Sequence, residues 1–144
     1  MSDLDAFRLR IRNWARVFRD MPSRGESNLM PFLRSIDKEA QKESEPRVSP
    51  DYRDAEFVDE CIKSLRSRSE EFDRLFLCIK AEYLIRWEAP ESIYEEQKLI
   101  KKKAAIAKVF WWRFYEHLKQ AETLLMQYVE RREQNISENE YNAP

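Results

Sequence analysis

Glycine is almost missing from this chain: 144 residues contain one, Gly25, together with a single histidine, His117, and two cysteines, Cys61 and Cys78. Hairpins need glycine or asparagine where φ turns positive, so a sequence this poor in glycine is not a hairpin-rich β protein. One histidine and two cysteines without CxxC spacing leave no metal-ligand set, and both cysteines sit in apolar helical patterns, as buried reduced thiols do. There is no P-loop and no G-x-S-x-G. Asp54, Glu56, Asp59 and Glu60 are the one acidic group that might suggest a metal, but alternate carboxylates on a helix point to different faces, and an acidic helix start complements the dipole. Apolar runs fall short of the roughly 20 residues of a membrane span, and the opening MSDLDAFRLR has no signal-peptide core. The expectation is a cytoplasmic, non-enzymatic protein with no metal, no cofactor and no membrane partner.

Net positive charge is also lacking. Lysine and arginine number 26 against 27 acids, for a formal charge of −1. The global basicity of a simple nucleic-acid binder is absent, and any polyanion surface must come from local clusters. What the chain has is 42% hydrophobic, 12% aromatic and 37% charged residues, enough for a compact core with solvated helix faces. The fold class expected is all-α, a small helical bundle with a C-terminal helix-turn-helix-like pair.

Residues 1–40 read as a basic amphipathic region. Asp3 is placed to cap a helix in which Phe7, Ile11, Trp14 and Phe18 recur at helical spacing, while Arg8, Arg12, Arg16 and Arg19 form an adjoining stripe. Met21, Pro22 and Gly25 end it, and a short helix is expected within 28–40. Residues 41–53, with two prolines, read as a linker. The helical core is expected over 54–131. Asp54 would cap a short helix to Leu65, Ser67 with Glu70 has capping-box spacing, and Phe72, Leu75, Phe76, Ile79 and Tyr83 carry the strongest buried pattern before Pro90. Ser92 and Glu95 open another helix, leading into Lys101, Lys102 and Lys103. Residues 132–144 read as a flexible tail.

The stretch KKKAAIAKVFWWRFYEHLKQAE, 101–122, is either part of one long core helix or two helices joined by a turn. Trp14-Ala15-Arg16-Val17-Phe18-Arg19-Asp20, then Asp54-Ala55-Glu56-Phe57-Val58 with Ile62 and Leu65, then Leu75-Phe76-Leu77 with Tyr83, then 103–122, follow one another in an order that resembles the Q-type late-gene antitermination proteins of phages and prophages. In that family the last helix pair is similar to the DNA-reading unit of the −35 module of bacterial sigma factors, A-x-x-L-G-V-S-x-x-x-F-x-x-x-L-x-x-A-E. Ala104, Val109, Phe114, Leu118, Ala121 and Glu122 match it, with Ala107 also on the first helix of the pair, whereas Lys108 stands at the turn glycine and Phe110 at the capping serine. The resemblance implies a transcription regulator that binds double-stranded DNA and loads onto RNA polymerase. Trp112, Arg113 and His117 would then approach base edges, and Lys101, Lys102, Lys103, Lys108, Arg8, Arg12, Arg16 and Arg19 would contact phosphates. The alternative, favoured by the neutral charge and by Lys108 and Phe110, is a helical protein-interaction module, dimeric or directed at a host protein, with Trp111 or Trp112 as its anchor.

Overall fold

The computed structural model describes residues 2–19 and 49–141, with side chains described as far as Ser137. The helix expected within 28–40, the break at 21–25 and the linker to residue 48 lie outside them. Helix α1 spans Asp3–Phe18, α2 Tyr52–Arg68, α3 Glu70–Ile79, α4 Ile93–Ala107 and α5 Phe114–Tyr141. No strand occurs among the described residues. The all-α bundle expected from composition is the observed fold.

Side-chain caps set the helix starts: Ser92 caps α4 as expected, and the caps of α1, α2 and α3 lie one to three residues from the expected ones. Ser2, not Asp3, caps α1: its hydroxyl accepts the Asp5 N–H at 3.1 Å and donates to the Asp5 carboxylate at 2.8 Å. Asp51 caps α2 by accepting the Asp54 N–H, which releases the Asp54 carboxylate for a 2.7 Å ion pair with Arg10. The helix runs past Leu65 to Arg68, and Ser69 rather than Ser67 caps α3, while the Ser67 hydroxyl donates to the Ser64 carbonyl inside α2.

The core joins all five helices. Phe7, Ile11 and Trp14 of α1 pack with Val58, Cys61 and Ile62 of α2, Phe72, Phe76 and Ile79 of α3, and Phe114, Leu118, Leu125 and Val129 of α5. Ala104 and Ala107 carry α4 into the same cluster. Trp14 meets Phe76 edge-on at 6.2 Å, and its indole N–H donates to Asp59 at 3.1 Å, so a large buried aromatic keeps its polar atom satisfied. Both cysteines are buried and free.

Helix α3 ends in a π turn, Lys80–Leu84, six residues before Pro90 rather than at it. A π turn is one residue wider than an α turn and redirects the side chains it carries. Here it holds Tyr83 inward, and the Trp87 indole folds back to donate to the Ala81 carbonyl at 2.7 Å. The lysine run lies inside α4 instead of following it. At the other end α5 continues beyond Arg131 to Tyr141, through ten residues expected as tail. No helix among the described residues is long and apolar enough to cross a membrane.

Candidate nucleic-acid interface

Residues 101–122 form two helices joined by a turn. Helix α4 stops at Lys108, which takes φ 59 and ψ 41, the only positive φ among the described non-glycine residues. The Lys108 N–H reaches the Ala105 carbonyl at 3.3 Å and the Val109 N–H the Ala104 carbonyl at 3.1 Å, the Schellman pairing that closes a helix C-terminus. A lysine in the left-handed region costs about 1–2 kcal/mol, since its Cβ crowds the following carbonyl. Val109 then folds back on the core, Phe110 is extended with no side-chain cap, and Trp111–Arg113 make a 3-10 turn closed by the Arg113 N–H on the Phe110 carbonyl at 3.0 Å. Phe114 begins α5 with a fully buried ring, in one cluster with Ala104 and Ala107. Small residues on α4 facing a large one on α5, around a short turn with a left-handed residue, give a helix-turn-helix-like unit.

Burying Phe114 turns its neighbours outward. Phe110 and Trp112 are each 64% exposed and Trp111 41%. Phe110 and Trp112 stack at 4.8 Å with planes 14° apart, and Trp111 meets Trp112 edge-on at 5.8 Å. The ammonium of Lys101 lies 5.4 Å from the Trp111 ring centre, and that of Lys98 4.6 Å from Tyr94. Periodicity located the inward residues here. It gave no warning that Phe110, Trp111, Tyr115 and Tyr94 would all stand in solvent, because aromatic residues in a helical pattern normally read as core.

Lys101, Lys102, Lys108, Trp112, Arg113, Arg12 and Arg16 are exposed, as a polyanion surface requires. Three other expected phosphate contacts serve the fold instead. Lys103 is 6% exposed and pairs with Glu82 of the π turn at 2.9 Å. Arg8 donates from Nε to both oxygens of the fully buried Glu122, at 3.1 and 3.2 Å, and Arg19 donates to the Tyr83 carbonyl at 2.9 Å. His117, expected near base edges, is half-buried beside a groove of about 470 Å³ between α3 and α5, where Glu71, Arg74 and Lys108 are its neighbours on the lining. Its Nδ1 is shielded from solvent without a hydrogen-bond partner. The stripe on α1 missed this division of labour because its arginines look alike in sequence, and only packing reveals that Arg8 faces Glu122.

Glu122 is the polar centre of the bundle. Besides Arg8 it accepts a short hydrogen bond from the Tyr83 hydroxyl, which joins α1, the π turn and α5. Burial and the neighbouring carboxylate push the Tyr83 hydroxyl above its usual range, and the bond to Glu122 holds the Arg8 guanidinium still more firmly protonated. The acids at the start of α2 are similarly occupied: Asp54 by Arg10, and Asp59 by Trp14 and Lys63. Among the described residues no group of three or more His, Cys, Asp or Glu side chains is arranged to hold a metal ion.

No family model, curated protein or solved structure matches the chain.

Proposed function

We propose that the chain is a sequence-specific, DNA-binding transcription regulator whose α4–α5 pair engages duplex DNA. The observation that carries this reading is the turn: Lys108 adopts the left-handed conformation at the position where the DNA-reading pattern has glycine. A residue stays in so unfavourable a conformation only where its surroundings hold it there, here the two backbone bonds that close α4. Arg113, in the turn just before α5, is exposed to reach base edges, and Lys101, Lys102 and Lys108 are exposed nearby to pair with phosphates. Loading onto RNA polymerase, as in Q-type antiterminators, is part of the proposal and rests on the order of motifs along the chain.

Titration with random-sequence duplex DNA at two salt concentrations, read by tryptophan fluorescence, tests the reading. Binding should weaken steeply with salt as phosphates are neutralised. At a selected specific site, Arg113→Ala should lower affinity by about 1–3 kcal/mol and leave the unfolding midpoint unchanged. Absence of duplex binding at low salt would overturn the reading in favour of a protein-interaction module. That second reading draws on Ile93, 77% exposed at the start of α4, and on the net charge of −1.

A further inference from the structure

The exposed aromatics and lysines of the α4–α5 unit are not scattered. Tyr94, Lys98 and Lys101 follow one another by four and three residues, which places them along one face of α4. The Lys98 ammonium sits against the Tyr94 ring, and the Lys101 ammonium against Trp111, from which the surface continues through Trp112 to Phe110. Ring, cation, cation and then three rings therefore form one continuous strip. All six side chains are exposed. Glu95 and Glu96, at about 100° per residue, fall off this face, and Glu95 and Glu88 meet Lys98 only across a groove at its side.

We infer that this strip is a track for single-stranded nucleic acid, with bases stacking on Trp112, Phe110 and Tyr94 and phosphates meeting Lys98 and Lys101. Adjoining π-faces and ammonium groups are what an unpaired strand presents partners for, since every base has a face to stack and every linkage a charge to neutralise. A duplex offers phosphates but hides its base faces. Protein interfaces draw on tryptophan and tyrosine too, but lysine is depleted in them, whereas here lysines occupy the middle of the strip. The inference rests on the nucleic-acid reading above and deepens it: the unit that grips a duplex through Arg113 also holds an unpaired strand beside it.

The test uses the full chain and two fluorescently labelled probes of about 12 nucleotides, an oligo(dT) and a random duplex, compared by anisotropy at low salt. The oligo(dT) should bind, and Trp112→Ala should weaken it about tenfold, with the duplex affected less. The charge reversals Lys98→Glu and Lys101→Glu should each weaken oligo(dT) binding and flatten its salt dependence. Arg113→Ala should weaken the duplex at a specific site and spare oligo(dT). The altered residues are exposed, so a circular-dichroism melt unchanged from the parent chain verifies folding. Duplex binding without oligo(dT) binding would overturn the track and leave the DNA reading standing, and failure of both probes would overturn both. Oligo(dT) binding indifferent to Trp112→Ala and to both reversals would overturn the assignment to this strip.

Discussion

Arg8 and Glu122 stand 114 positions apart in the chain, and the guanidinium meets the carboxylate through Nε and through an ion pair at 3.1 Å. Glu122 is completely buried, while the Arg8 side chain keeps 31% of its surface in solvent and also pairs with Asp5. Removing Glu122 takes the acceptor from the buried Tyr83 hydroxyl and leaves Arg8 only its exposed pair with Asp5. Glu122→Ala should lower the unfolding free energy by about 3 kcal/mol in urea titration. A loss below about 1 kcal/mol would mean that the pair behaves as a surface ion pair.

Lys108→Gly should make the protein more stable. Glycine enters the left-handed region without Cβ strain, and the substitution keeps both backbone hydrogen bonds of the turn. The expected gain is about 1 kcal/mol, because the greater freedom of glycine in the unfolded chain offsets part of the relieved strain. A rise in urea midpoint at constant slope verifies it.

Neighbouring lysines should separate cleanly by assay. Lys103→Ala strands Glu82 and should cost about 2–3 kcal/mol in stability, a little less than a fully buried pair because Glu82 keeps some solvent contact. Its duplex salt dependence should be that of the parent chain. Lys102→Ala should leave the melt unchanged and reduce the salt slope of duplex binding by about one.

Stability should fall in mild alkali. Burial pushes the Cys78 thiol from 9.0 up to about 11, since the thiolate would lose its hydration. As pH rises the unfolded chain releases this proton first, so the contribution is complete below about pH 9 and drains away through about pH 11. At pH 10.5 the loss from this one group should be about 2 kcal/mol. Tyr83, raised by burial and by Glu122, acts with the same sign at higher pH. Urea unfolding across this range should show the fall, and Cys78→Ala should flatten its first part.

The inward faces are legible in the sequence: Phe7, Ile11, Trp14 and Phe72 follow from spacing alone, Phe114 and Leu118 from the helix-turn-helix pattern, and all are buried. Periodicity succeeds there because the core selects for it directly. Caps were harder. Ser67 and Ser69 are both capable of accepting an N–H, and the choice depends on where α2 ends. The π turn left no trace in the sequence, since its extra residue is justified only by the bonds that Ala81, Glu82 and Tyr83 make to Trp87, Lys103 and Glu122. At the candidate interface, charge type was readable and charge duty was not. Lys101, Lys102 and Lys103 look equivalent until the helix turns the third one inward.

Helix α5 is a single element of 28 residues, about 42 Å of continuous rod. Its start lies at the turn beside Trp112, and along its length it is tied to α1 through Glu122, to α2 through the 2.6 Å contact of Tyr128 with Ser64, and again to α1 through the 2.7 Å pair of Glu133 with Arg10. Successive ties along one rod remove its freedom to tilt. A body seated near Ile136, at the opposite end, would consequently stand at a set height from whatever the turn rests on, and the helix would serve as a ruler between them.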